Sequence, residues 1–174
     1  MLKTIRFQMK LKAKLDCATF VFDIDGVLTD GTFIYDDTGK VMKRFGPHDS
    51  EAAKLIGAFF PLHFITADAR GFNITQKRVS DMGFEAILLS PRERQVFVEE
   101  LMLQNKAVVF IGDSLSDIPA MQSAYLSACP SDAMKDVKKE ANLSLSTAGG
   151  RGVVAEVYSV VKYCTRGVNR FAKF

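Results

Sequence analysis

The sequence predicts an α/β domain built on a parallel sheet, and three observations carry that expectation. Short apolar runs of strand length alternate with helix-like runs from Cys17 to Tyr163, the pattern of βαβ units. Three of the apolar runs switch abruptly to polar residues at their ends: Asp23 and Asp25, Thr66, and Asp113 with Asp117. The most apolar run, Ala107 to Gly112, reads as a strand in the middle of the sheet.

The elements follow in order. Cys17 to Phe22 is a buried strand that ends at Asp23. Thr32 to Tyr35 and Val41 to Phe45 flank the turn cluster Asp36-Asp37-Thr38-Gly39 and predict a β-hairpin. Ser50 to Phe60 is helical, and Leu62 to Thr66 is a second buried strand. A helix over Asn73 to Met82 stops at Gly83, and Phe84 to Leu89 is a strand. Pro91 opens a helix that runs to Gln104, with Val96, Phe97 and Leu101 at helical spacing. After the central strand come a helix near Ser116 to Ala124, a strand over Tyr125 to Ala128, a helix over Ser131 to Glu140 and a strand over Asn142 to Leu145. A Gly-Gly-Arg-Gly loop (149–152) leads into a last helix, Val153 to Tyr163.

Composition bounds the function. With 174 residues, 48% of them hydrophobic and 25% charged, the chain can bury a core as one domain. Its net charge of +3 is spread along the sequence, so no nucleic-acid partner is expected. Its longest apolar runs are far short of a membrane span. Cys17, Cys129 and Cys164 are widely spaced, with neither a disulfide framework nor a zinc pattern. They read as free thiols of a cytoplasmic protein. Residues 1–16 carry Lys3, Arg6, Lys10, Lys12 and Lys14 and no acid before Asp16. They are expected to be a basic leader, a solvated helix or a frayed end, ahead of a single domain over 17–174.

In an open parallel sheet, ligands bind beyond the carboxyl ends of the strands, so residues far apart in sequence converge there. Hydrolysis of a phosphate ester needs an in-line nucleophile, a cation for the phosphoryl oxygens and a proton donor for the leaving oxygen. Asp23 can be the nucleophile, through an aspartyl phosphate. Asp25 shares its direction, because side chains alternate along an extended chain, and can serve as acid and base. Mg²⁺ suits carboxylate and phosphate oxygens, and Asp23 and Asp113 can supply the carboxylates. Thr66 offers a hydroxyl to a phosphoryl oxygen, and Arg94 a fixed positive charge.

The segment Asp23-Ile-Asp-Gly-Val-Leu-Thr-Asp-Gly31 resembles the first motif of the haloacid dehalogenase superfamily of phosphatases. Ile65-Thr66 resembles the second motif, and Gly112-Asp113-Ser-Leu-Ser-Asp117 the fourth. Within that superfamily, the hairpin and the stretch Ala148-Gly-Gly-Arg-Gly-Val-Val-Ala-Glu156 resemble the 3-deoxy-octulosonate 8-phosphate phosphatase subfamily, over roughly Ala18 to Tyr163. The resemblance implies a three-layer Rossmann-like sheet with a β-hairpin flap and no cap domain. It implies Asp23, Asp25 (through its carbonyl) and Asp113 as Mg²⁺ ligands, Asp117 as their support, Thr66 as a phosphate ligand and Arg94 at the third-motif lysine position. Arg78 falls at a substrate-contacting arginine. His48 and Asp49 stand where the subfamily has Arg-Asp, and Arg70 follows Ala67-Asp68 where it has Gly-Arg. The expected substrate is a small acidic 3-deoxy keto sugar phosphate, of the octulosonate 8-phosphate or nonulosonate 9-phosphate type, in carbohydrate biosynthesis. The competing expectation is a phosphoacceptor or regulatory domain of the same fold that partners a sugar-activating enzyme with little turnover.

Spacing adds an expectation about assembly. Gly26 and Thr66 stand 40 residues apart, and Thr66 and Arg94 only 28. Neither gap has room for a lid domain beside its own helix and strand, yet a phosphoryl-transfer site needs water excluded. A neighbouring subunit is then the source of cover, which agrees with the homotetramer that the resemblance implies.

Overall fold

The computed structural model describes residues 2–168. Six strands form one sheet, β1 (Ala18–Asp23), β4 (Leu62–Thr66), β5 (Ala86–Leu88), β6 (Ala107–Ile111), β7 (Leu126–Cys129) and β8 (Leu143–Ser144). Their order is β5-β4-β1-β6-β7-β8 and every pairing is parallel. β1 and β6 are therefore the central pair, and both end at the same rim. The hairpin of β2 (Thr29–Asp36) and β3 (Gly39–Phe45) stands outside the sheet as a separate antiparallel ribbon. The architecture is the three-layer α/β fold expected, with a hairpin flap, and no cap domain interrupts it.

Strand alternation sorts the two cores. Phe20, Phe22, Phe64, Val109 and Ile111 point to one face, where α2 (Asp49–Gly57), α3 (Phe72–Asp81) and α7 (Val153–Thr165) supply Ala53, Ile56, Val79, Val157 and Val161. Val21, Ile65, Val108 and Phe110 point to the other face. There α4 (Pro91–Leu103), α5 (Ile118–Ser123) and α6 (Lys135–Glu140) supply Val98, Ala120, Met121 and Val137. Asp23 follows Val21 by two residues, so it shares the face toward α4.

Two differences from the sequence expectations have clear causes. The basic N-terminal segment is a helix, α1 (Leu2–Ala13), docked on α7, with Phe7 and Leu11 buried in the larger core. Phe7 and Leu11 are one turn apart and share a face, while the lysines flank it in solvent. The helix expected from Ser131 begins only at Lys135, because residues 130–134 form a turn instead. Ala133 N–H donates to the Pro130 carbonyl at 3.2 Å, and Met134 N–H donates to the Asp113 carbonyl at 3.0 Å. That turn is held against the end of β6.

Leu11 is fully buried between α1 and the sheet. Leu11→Ala is expected to cost about 2–5 kcal/mol of unfolding free energy. Urea denaturation should show it, while an exposed neighbour such as Met9→Ala should change it little.

Candidate active site

The turn after β1 sets the site. Ile24 is buried in the core and its carbonyl accepts the N–H groups of Val27, Leu28 and Thr29 at 3.2, 2.9 and 3.0 Å. The buried Thr29 hydroxyl accepts Gly26 N–H at 3.0 Å and Gly31 N–H at 3.2 Å. This closed turn holds Asp23 and Asp25 rigidly at the rim. Gly26 has φ +94°, and a side chain there would run into the Asp113 carboxylate. Only glycine lets the β1 and β6 ends come this close. The Gly149-Gly150 loop packs on the same turn, with Gly150 N–H donating to the Val27 carbonyl at 3.0 Å and Gly149 N–H to Asp132 Oδ1 at 2.9 Å.

Asp23, Asp113 and Asp117 bring one carboxylate oxygen each within 4.8 Å of one another. Asp117 is fully occupied. Its Oδ2 accepts from Asp113 N–H (3.2 Å), Ser114 N–H (3.0 Å) and the Ser114 hydroxyl (2.8 Å), and its Oδ1 pairs with Arg94 Nη1. Arg94 Nη2 lies 2.9 Å from Asp23 Oδ1. Arg94 is buried in the first turn of α4. A capping box, in which Ser90 and Glu93 exchange hydrogen bonds, fixes the start of that helix.

Three carboxylates thus crowd together, two of them paired with the buried guanidinium of Arg94. Burial raises the Asp23 carboxyl well above the ordinary range, the charges of Asp117, Asp113 and Asp25 add to that, and Arg94 only partly opposes it. Burial, then Asp117 and Asp132, push Asp113 up to about 7. Asp113 Oδ1 is buried without a hydrogen-bond partner. Asp23 Oδ1 is likewise without a hydrogen bond, and an excess of hard, negatively charged oxygens with such atoms among them fits a divalent oxophilic cation. Asp23 and Asp113 are the carboxylates free to hold it, while Asp117 braces the loop and Arg94.

The second half of the site lies toward the hairpin. The Thr66 hydroxyl donates to Asp25 Oδ2 at 2.8 Å and accepts Asp68 N–H at 3.0 Å. Lys43, a residue that sequence reasoning passed over, reaches in from β3 with its ammonium 2.7 Å from Asp25 Oδ1.

The four expected sugar contacts are placed differently. Asp49 is buried, and its Oδ1 accepts Val154 N–H at 2.8 Å and anchors the start of α7, while its Oδ2 has no hydrogen-bond partner. Burial raises its pKa, against the hydrogen bonds from α7. Arg78 donates to the Gly46 carbonyl at 3.3 Å and fastens α3 to the base of the hairpin. His48 is exposed at the start of α2, beside Gly152, and Arg70 is exposed on the loop into α3.

Comparison with known proteins decides the family. No protein-family model matches the chain. The 3-deoxy-D-manno-octulosonate 8-phosphate phosphatase of Haemophilus influenzae is 30% identical over 156 residues, covering 87% of this chain and 86% of that protein. The chain belongs to the 3-deoxy-D-manno-octulosonate 8-phosphate phosphatase family. It is accordingly a haloacid dehalogenase-type phosphatase, a phosphoric monoester hydrolase. The Yersinia pestis member is 28% identical over 81% of this chain and 77% of that protein. A cobalt-bound structure of the Haemophilus influenzae phosphatase superposes with a TM-score of 0.75 at 28% identity, covering 90% of this chain and 97% of that one. A Moraxella catarrhalis phosphatase of the family, solved with magnesium, phosphate and KDO, shares the fold with a TM-score of 0.78 at 22% identity, covering 95% and 97%.

The excess charge makes a prediction with a definite sign. Asp113 is raised in the folded state, so in metal-free protein it favours folding at low pH, and that contribution is lost as pH rises toward about 7. A bound divalent cation relieves the repulsion only once Asp113 is ionised. Added Mg²⁺ should therefore raise Tm more above pH 7 than below it, and Asp113→Asn should flatten the difference. Equal shifts on both sides would contradict the charge argument.

Proposed function

We propose that the chain is a Mg²⁺-dependent phosphatase that hydrolyses 3-deoxy-D-manno-octulosonate 8-phosphate through an aspartyl phosphate on Asp23. The observation that carries this reading is the buried group of Asp23, Asp113 and Asp117 against the single guanidinium of Arg94. The substrate is taken from the family, whose named members act on the octulosonate ester, and nothing in the relatives favours the nonulosonate ester. The cation is taken from the oxygen donor set, with the cobalt-bound relative in support.

Mg²⁺ on the Asp23 and Asp113 carboxylates and the Asp25 carbonyl would neutralise phosphoryl oxygens that otherwise repel a carboxylate nucleophile. Arg94 aims Asp23 and holds a charge that no accessible pH removes. Asp25 protonates the leaving sugar oxygen and then takes a proton from the water that opens the acyl phosphate. The Thr66 hydroxyl, at the end of β4, is the candidate phosphate ligand, and binding the ester would draw its one proton from Asp25 Oδ2 to a phosphoryl oxygen. His48 and Arg70, exposed around the rim, are the candidates for the sugar acid, since Asp49 and Arg78 are engaged in the fold.

The proposed assembly is a homotetramer. Phe33, Ile34, Tyr35 and Met42 of the hairpin are each about half exposed, an apolar surface of the kind an interface covers. The three cysteines are free, which fits a reducing compartment such as the cytoplasm. Among the described residues no helix is long and apolar enough to cross a membrane.

Phosphate release from a panel containing both sugar-acid phosphates tests the substrate. Octulosonate 8-phosphate should turn over fastest, chelation should stop it and Mg²⁺ should restore it. Asp23→Asn should abolish turnover, and turnover that survives would overturn the nucleophile assignment. Arg94→Ala should lower kcat/KM by roughly 30- to 1,000-fold, the range for losing a charge-assisted contact at the reacting centre. The exposed Arg92→Ala should lower it little. Light scattering should give about four times the chain mass, and a value near 19.3 kDa would refute the tetramer.

A further inference from the structure

Lys43 is an unusual residue for the strand it occupies. β3 belongs to a two-stranded ribbon with exposed neighbours, yet the Lys43 side chain is fully buried and Met42 beside it is exposed. A buried ammonium needs compensation, because desolvating it alone is costly. Its ammonium forms ion pairs with Asp25 Oδ1 at 2.7 Å and Asp68 Oδ2 at 2.8 Å and donates a hydrogen bond to Thr75 Oγ1 at 2.8 Å.

These contacts close a ring. Asp68 N–H donates to the Thr66 hydroxyl, and the Thr66 hydroxyl donates to Asp25 Oδ2. Lys43 pairs with Asp25 Oδ1 and returns to the Asp68 carboxylate. Asp68 is itself anchored, since Oδ1 accepts Gly71 N–H at 3.1 Å and Oδ2 pairs with Lys40. Burial alone would raise the Asp68 carboxyl, but the hydrogen bonds from Lys40 and Lys43 outweigh it and hold it at about 2. Asp25 is thereby held from two sides, by a hydrogen bond from β4 at Oδ2 and by an ion pair with the hairpin at Oδ1.

We infer that Lys43 is a positioning residue for Asp25: it fixes the acid/base carboxylate and makes its aim depend on the seating of the hairpin. The inference rests on Asp25 being the acid/base group. Lys43 acts through Asp25 and not on the ester, so its loss should appear where the leaving oxygen needs a proton. A sugar alkoxide needs one, and a nitrophenolate does not.

The test measures kcat and KM on octulosonate 8-phosphate and on p-nitrophenyl phosphate. Lys43→Met should lower kcat on the sugar ester by roughly 10- to 100-fold, a part of what general acid–base help contributes. KM should change little, and the loss on the nitrophenyl ester should be several-fold smaller. Lys43→Arg, which keeps the charge, should recover much of the rate. Asp68→Asn keeps Lys43 and Asp25 but loosens the ring, and should give the same leaving-group bias in weaker form. It serves if Lys43→Met does not fold. A rise in KM at constant kcat would make Lys43 a substrate contact and overturn the inference. Equal losses on both esters would make its role purely structural, which also overturns it. Asp25→Asn separates the underlying reading: if that variant shows no leaving-group bias, the acid/base assignment itself fails.

Discussion

The placement of three carboxylates and one guanidinium at the ends of β1 and β6 constrains everything around it. Asp23, Asp113 and Asp117 are held together by a parallel sheet whose two central strands stop at the same rim. Such a cluster is poor as a stability device, because desolvating charges can cost more than their pairing returns. Its supports are correspondingly strict. Asp117 takes three donors and Arg94, Gly26 leaves no Cβ in front of Asp113, and the capping box of Ser90 and Glu93 fixes the helix turn from which Arg94 reaches. The surplus negative charge is what a divalent cation would offset, and the cation would then also meet the anionic ester.

The two aspartates of the first turn are given different cations. Asp23 faces Arg94, which comes from α4 beneath the sheet rim, and it is almost fully buried. Asp25 faces Lys43, which comes from the hairpin, and its side chain keeps 17% of its exposure. On the proposed mechanism, the buried member is the one whose attack suffers from competing water, and the partly exposed member is the one that must meet a leaving group and then a water. The intervening Ile24 separates them by pointing into the core, so the pair cannot collapse onto one partner.

Much of this was legible in the chain. The apolar runs marked every strand of the sheet, and their polar endings named Asp23, Asp25, Thr66 and Asp113. Arg94 was named by its place near the start of a helix opened by Pro91 and by the third-motif resemblance, while the capping box of Ser90 and Glu93 went unread. What was not legible depends on long-range partners. Lys43 lies on a ribbon strand where a lysine ordinarily points to solvent, and its acceptors are 18, 25 and 32 residues away in sequence. Asp49 did read as a residue at a helix start, but the helix it holds is α7, through Val154, and not its own. The docking of α1 was missed because its four basic residues dominate its composition, while only Phe7 and Leu11 reach the core.

The hairpin joins these parts, because its two faces do different work. Alternation along β3 turns Lys43 inward to Asp25 and Asp68 and leaves Met42 outward. β2 adds Phe33, Ile34 and Tyr35 to the apolar exposure. A ribbon of two strands is marginal by itself, and here its anchorage comes from ion pairs and Thr75 at the site end. Anything that packs on the outer face steadies the strand that carries Lys43. If subunits associate through that face, assembly and the aim of Asp25 are mechanically one event, although no residue of the interface need touch the ester. The order of the flap would then depend on its neighbours, and the Lys43 charge proposed to align Asp25 is part of that flap.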